Sequence, residues 1–396
     1  MTRYNFDKIT NRKGTNCLKY DFAVERGKPA DVLPLWVADM DFPVSEEITK
    51  SLHAAVEHGI YGYTQPKDAY YNAVMNWMER NHNWKTEREW IVKTPGVVFA
   101  LGAAVKAFTD PGDAILIQNP VYYPFTNIIR DNDRRVVDNT LIYEKTAGQS
   151  GDNGYRIDFE DFERKLEQEH IKLFILCNPH NPVGRVWTAE ELQKLGEICL
   201  RHHVIVVSDE IHNDFVFRGE HTVFASIKKE FEDICVVCTS PSKTFNLASM
   251  MISNIFVPNK ELRQKFQHQV DAAGISQLGV LGLAATQTAY EKGDEWYENM
   301  LAYVWENIAY VKKYVKDNMP GVNVIDGEGT YLLWLDFRGT GIDADELDRR
   351  IIYDAKLWLD SGKIFGKTGT GFQRINVAAP RKTIEECMKR IEGILK

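Results

Sequence analysis

Ile234-Cys235-Val236-Val237-Cys238 runs directly into Thr239-Ser240-Pro241-Ser242-Lys243-Thr244-Phe245-Asn246. The first five residues are apolar and β-branched or small, which predicts a buried strand. Hydroxyls, a proline and one lysine then break the run. In a sheet of parallel strands, ligands sit just beyond the carboxyl ends of the strands. A lysine at that address becomes a Schiff-base nucleophile once its surroundings lower its pKa. Read alone, Ser242-Lys243 is an ordinary loop lysine. The segments before and after it decide otherwise.

Four more apolar runs have the same character. They are Ala114–Gln118, Lys172–Cys177, Val204–Ser208 and Ser253–Val257, with Trp90–Thr94 as a shorter strand. Helical patterns separate them. One spans about 45–57, with Ser45 as N-cap and Glu46 and Glu47 in its first turn. Another spans about 68–81 and is expected to bury Tyr71, Val74, Met75 and Met78. A third spans about 98–108. A fourth, 188–201, opens with a capping box between Thr188 and Glu191. Continuous apolar strands alternating with helices predict an α/β fold: a mostly parallel sheet covered on both faces, a three-layer α/β/α domain. It is assigned to residues 47–285. Residues 286–396, with a helix over 286–318, strands at 331–336 and 372–377 and a last helix from about 383, join 1–46 in a smaller α+β domain.

Composition narrows the function classes. A 396-residue chain with 44% hydrophobic residues supports a large packed interior. The formal net charge of −8 argues against nucleic acid or an anionic membrane as the main partner. No apolar run reaches the ~18 residues of a membrane span. The first residues lack the apolar core of a signal peptide, so a cytoplasmic location is expected. Six scattered cysteines make no disulfide framework. Cys235 and Cys238 have redox spacing but lie within the apolar strand, which favours packing. His180 and His212 have no partners at metal-ligand spacing, so no metal is expected.

Each strand end carries polar residues that an interior does not need. Asn119-Pro120-Val121-Tyr122-Tyr123 follows one strand, Asn178-Pro179-His180-Asn181-Pro182-Val183-Gly184 a second, and Ser208-Asp209-Glu210-Ile211-His212 a third. Pro95-Gly96-Val97-Val98 opens a helix, whose free N–H groups form an anion site. Asp209 ends an apolar run, and a carboxylate there needs a partner, because an unpaired buried charge is expensive. An anion cradle with Ser240 and Ser242 nearby, an aromatic face at Tyr122, a carboxylate, an amide at Asn181 and an amine at Lys243 suit one ligand. That ligand is a phosphorylated, cationic aromatic aldehyde, pyridoxal 5′-phosphate.

These motifs resemble those of fold-type I pyridoxal-phosphate enzymes of the aminotransferase class I/II superfamily. The spacing is similar too: 28 residues separate Asn181 from Asp209, and 34 separate Asp209 from Lys243. Asp39-Met40-Asp41-Phe42, Tyr61-Gly62-Tyr63, Asn178 to Trp187, Ser242 to Ala248 and Gly371 to Asn376 look like the cystathionine β-lyase (C–S lyase, MalY/PatB-like) branch. The resemblance spans about residues 4–394. It implies that Lys243 is the Schiff-base lysine and moves the substrate Cα proton. It implies that Asp209 pairs with the pyridinium nitrogen. Asn181 donates to the phenolic oxygen, with His212 near it, and Tyr122 stacks on the ring. The Val97 and Val98 amides with Ser240 and Ser242 hold the phosphate. Arg374 binds the substrate carboxylate, with Tyr122 and Asn181 beside it. Tyr63 reaches the phosphate of the neighbouring subunit in an obligate homodimer. The implied activity is α,β-elimination from L-cystathionine and other cysteine S-conjugates. The alternative is a class I/II aminotransferase acting on an amino acid and a 2-oxo acid. Where many class I aminotransferases carry a phosphate-binding arginine, this chain has Met251, which favours the lyase. Asp39 reads as the cap of a local turn.

Overall fold

The computed structural model describes residues 4–144 and 153–396. Seven strands form its main sheet: β1 (Ile91–Thr94), β2 (Ala114–Ile117), β3 (Arg135–Asp138), β4 (Ile171–Cys177), β5 (Ile205–Asp209), β6 (Cys235–Thr239) and β7 (Ser253–Phe256). Their spatial order is β1-β7-β6-β5-β4-β2-β3. All pairings are parallel except those of β7, which runs antiparallel to both β1 and β6. Side chains alternate across the sheet, so each strand feeds two cores. On β4, Phe174 and Leu176 enter one core and Leu173, Ile175 and Cys177 the other. Cys235 and Cys238, three apart on β6, therefore point to opposite faces and enter different cores.

Helices cover both faces. Val97–Phe108 and Lys260–Ala272 pack together on one face, contributing Ala100, Leu101, Phe266 and Val270 to its core. The other core is larger. It continues into a four-stranded antiparallel sheet of β8 (Asn323–Val324), β9 (Leu332–Asp336), β10 (Asp360–Ser361) and β11 (Phe372–Asn376), ordered β8-β9-β11-β10. The N-terminal segment joins this part through Leu33–Pro34, which pairs in parallel with Leu357–Trp358.

Local capping follows the pattern of the sequence. Ser45 accepts from the Ile48 N–H, and Thr188 and Glu191 form a reciprocal capping box. Two expectations need correction, and one strand was not expected. The helix over 68–82 buries Tyr70, Ala73, Trp77 and His82 beside Val74 and Met78, while Tyr71 and Met75 are half-buried. The buried face is rotated because the helix docks through Trp77. The stretch 286–318 is not one helix but parts of two, Val280–Lys292 and Asp294–Asn318. The break falls at Gly293, where a Cβ would lie 2.3 Å from the Phe245 ring. Strand β3 carries the charged Arg135 and Asp138 at its ends, which hid it from an apolar-run reading.

Candidate active site

Four strand ends and one helix start converge on a single cavity of about 180 Å³. Lys243 stands on a four-residue helical turn, Pro241–Thr244, directly after β6. Asp209 is the last residue of β5, and Asn181 lies four residues beyond β4. Tyr122 follows β2, and Val97 opens the helix after β1. Val98, His212, Ser240 and Ser242 complete the group. The nine residues expected to surround the cofactor within one chain thus line one space.

The helix start is built for an anion. Gly96 precedes it with φ 150° and ψ 158°, a conformation essentially restricted to glycine. No side chain caps the first amides, so their positive dipole faces the cavity. Ser240 caps its own turn. Its oxygen accepts from the Ser242 N–H at 3.1 Å, and its hydroxyl donates to the Ile252 carbonyl at 2.7 Å. Ser242 Oγ has no partner among the described residues and is the hydroxyl left for a ligand.

Charges in the cavity are strongly tuned. Burial pushes the Asp209 carboxyl up to about 7, because water no longer stabilises its charged form. Its one hydrogen bond comes from the Ile211 N–H, at 3.2 Å. Enclosure lowers the Lys243 ammonium to about 8; Asp39 and Asp209 oppose this and Arg374 adds to it. Lys243 Nζ donates to the Ala38 carbonyl at 2.7 Å. Burial holds the His212 imidazole far below its usual range, and its Nδ1 is buried without a partner.

Arg374, on β11, lies behind Asn181. Its Nη1 donates to Asn181 Oδ1 at 2.9 Å, and its Nη2 to the Trp36 carbonyl at 3.0 Å and to Asp360. Its Nε is buried without an acceptor. The bond from Arg374 fixes the Asn181 amide, leaving Nδ2 free to donate elsewhere. Tyr63 does not enter this cavity. It is 98% exposed and borders a surface hollow with Ser249, Met250 and residues 276–282.

Sequence reasoning passed over Ala38 and misread Asp39. Asp39 is not a turn cap. It pairs with Arg12 at 2.6 Å and lies 3.5 Å from buried Lys19, with Asp41 completing the cluster. The strap 37–42 is tied down by Asn376, which donates to the Val37 and Asp39 carbonyls, and by Asn246, which donates to those of Met40 and Phe42. Asp360, the buried counterion of Arg374, was also missed; a lone acidic residue before Ser361 carries no motif.

The whole site lies within the stretch 30–391, which matches the model of the family "Aminotransferase class I and II". The chain belongs to this family. It is 42% identical to cystathionine β-lyase PatB of Bacillus subtilis, over 99% of this chain and all of that protein. Cystalysin from Treponema denticola, whose crystal structure contains pyridoxal 5′-phosphate, superposes with a TM-score of 0.94. The two are 37% identical over 99% of this chain and 98% of that one. The pyridoxal-phosphate-bound C–S lyase of Staphylococcus hominis superposes at 0.91, with 32% identity over 100% and 98% of the two chains. No helix of the described residues is long and apolar enough to cross a membrane.

Proposed function

We propose that this protein is a pyridoxal-5′-phosphate-dependent C–S β-lyase. Its reaction converts L-cystathionine or another cysteine S-conjugate and water into a thiol, pyruvate and ammonia. Likeness over the full length to cystathionine β-lyase PatB carries the choice of reaction. The donor set fits the cofactor: a half-buried amine, a buried carboxylate with one hydrogen bond, an orphaned His212 Nδ1 and an uncapped helix start enclose one cavity. The Val97 and Val98 amides with Ser242 would hold its phosphate, and Ser240 would set the Ser242 backbone. Asp209 would face its ring nitrogen, Asn181 Nδ2 its ring oxygen, and Tyr122 its ring face, with His212 alongside. Residues 47–285 supply these groups; residues 1–46 and 286–396, taken as the second domain, supply Ala38 and Arg374.

Bound there, pyridoxal 5′-phosphate supplies an electron-withdrawing ring that stabilises charge developing at the substrate Cα. The remaining work belongs to the chain. Arg374 binds the substrate carboxylate, using the Nε–H that lacks a protein acceptor. Lys243, with its pKa lowered to about 8, is partly neutral near pH 7 and takes the Cα proton as general base. Expulsion of the thiolate at Cβ leaves a three-carbon remainder that hydrolyses to pyruvate and ammonia. Asp209 would face the ring nitrogen, and a cationic nitrogen there would give it the partner that its burial demands.

The direct test is product analysis with L-cystathionine, with and without a 2-oxo acid. Pyruvate and free thiol should appear without the 2-oxo acid, and Lys243→Ala should lower the rate at least 10³-fold. Amino transfer to the 2-oxo acid with no thiol released would overturn the lyase reading. The exposed Tyr63 is proposed to complete the phosphate site of a second subunit in a homodimer. Mixing Tyr63→Ala and Lys243→Ala subunits should then restore activity, because one of the two sites in each hybrid has both residues. Failure of any mixture to exceed its parents would exclude that arrangement.

A further inference from the structure

Lys243 stands on a support too short to hold itself. A single helical turn, Pro241–Thr244, is the unfavourable nucleus of a helix rather than a stable one. Ser240 ties its front to Ile252. Its back is tied by Thr244, which is fully buried and donates its hydroxyl to Asp214 Oδ2. Asp214 Oδ1 accepts from Trp77 Nε1 at 3.0 Å and from His82 Nε2 at 2.8 Å. The Asp214 carbonyl accepts from the Tyr297 hydroxyl at 2.6 Å. The Asp214 carboxylate therefore joins helix 68–82 and the lysine turn to the loop after β5, and its backbone carbonyl ties in helix 294–318. The carboxyl of Asp214 stays below its usual range: burial raises it, but His82, Thr244 and Trp77 outweigh burial.

The neighbouring Glu210 is held alike. It accepts from Ser208 Oγ at 2.9 Å, the Phe224 N–H at 3.0 Å and His221 Nε2 at 2.8 Å. The His82 and His221 rings meet edge to face, 5.6 Å apart. Neither carboxylate lines the cavity. Each instead anchors the residue beside a group that does, Thr244 beside Lys243 and Glu210 itself beside Asp209.

We propose that Asp214, acting through the Thr244 hydroxyl, is the positioning residue that aims Lys243 Nζ into the cavity. The proposal rests on the role given to Lys243 above. A misaimed lysine slows proton transfer without altering carboxylate binding at Arg374, so kcat and KM should separate. Thr244→Val keeps the shape and removes the hydroxyl; Thr244→Ser keeps the hydroxyl. With L-cystathionine, Thr244→Val should lower kcat at least tenfold with KM within twofold. Its apoprotein should bind pyridoxal phosphate at least fivefold more weakly, read by tryptophan fluorescence. Thr244→Ser should stay within twofold on all three.

A Thr244→Val enzyme with kcat within twofold of the parent overturns the proposal. So does a Thr244→Ser enzyme as impaired as Thr244→Val, since volume and not the hydroxyl would then matter. If Thr244→Val yields no folded apoprotein by circular dichroism, Thr244→Ala replaces it. Equal kcat for the Ala and Ser variants then overturns the proposal. Lys243→Ala separates the two readings. If it retains turnover, the proposed function fails. If it is inactive while Thr244→Val is not slowed, only the positioning role fails.

Discussion

Asp209 and Asp214 lie five residues apart, are both buried, and shift in opposite directions. Asp209 has one backbone donor and is pushed up to about 7. Asp214 has three side-chain donors, one of them an imidazole, and falls below the ordinary carboxylate range. Burial is the same force in both, so the difference is in the partners. A buried carboxylate without enough partners marks where a ligand belongs. A buried carboxylate with all its partners marks scaffold. The same distinction separates Arg374, whose Nε lacks an acceptor, from Asn376, whose Nδ2 donates to the Val37 and Asp39 carbonyls and whose Oδ1 accepts from the Ala378 N–H.

The harshest way to break this comparison is to remove the completed carboxylate. Asp214→Ala strands His82, Trp77 and Thr244 and should cost about 3–5 kcal/mol of stability, read by denaturant unfolding of the apoprotein. Because the folded pKa of Asp214 is lowered, its contribution is present above the unfolded value of about 3.9 and is lost as pH falls through the folded one. The gap between parent and variant should therefore narrow below about pH 4. A variant as stable as its parent at pH 7 would remove the contrast.

Removing the incomplete carboxylate should have the opposite sign and a smaller size. Asp209 holds its proton in the folded apoprotein up to about pH 7, while the unfolded chain releases it near 3.9. Folded protein thus binds more protons across that window, and stability falls as pH rises through it. Asp209→Asn should stabilise the apoprotein by about 2 kcal/mol at pH 8, with no gain below about pH 4. It should also abolish tight capture of pyridoxal phosphate. Destabilisation of the apoprotein at pH 8 would mean that Asp209 is structural, like Asp214.

Much of the fold was legible because its signals are local. The apolar runs that became β2, β4, β5, β6 and β7 differ from the observed strands by about a residue at each end, and the caps at Ser45 and Thr188 formed as their spacing indicated. Strand β3 and the break at Gly293 were not legible. The first pairs only along β2, and the second answers to Phe245, 48 residues away. The candidate site was legible where polar residues follow an apolar run within a few positions, as with Asp209 and Lys243. It was not legible at Ala38, whose contribution is a backbone carbonyl and carries no side-chain signal.

The sequence by itself determined the alternation of most strands with helices, the address of Lys243 beyond a strand end, and the family resemblance carried by short motifs. These depend on backbone preference and burial within a few residues. Only the tertiary structure decided which carboxylate was left incomplete. Asp214 meets His82 and Thr244 across 132 and 30 residues of chain, and nothing at position 214 announces either partner. A charge's chemistry is set by what packs within hydrogen-bonding reach, and that is fixed only when the chain has folded.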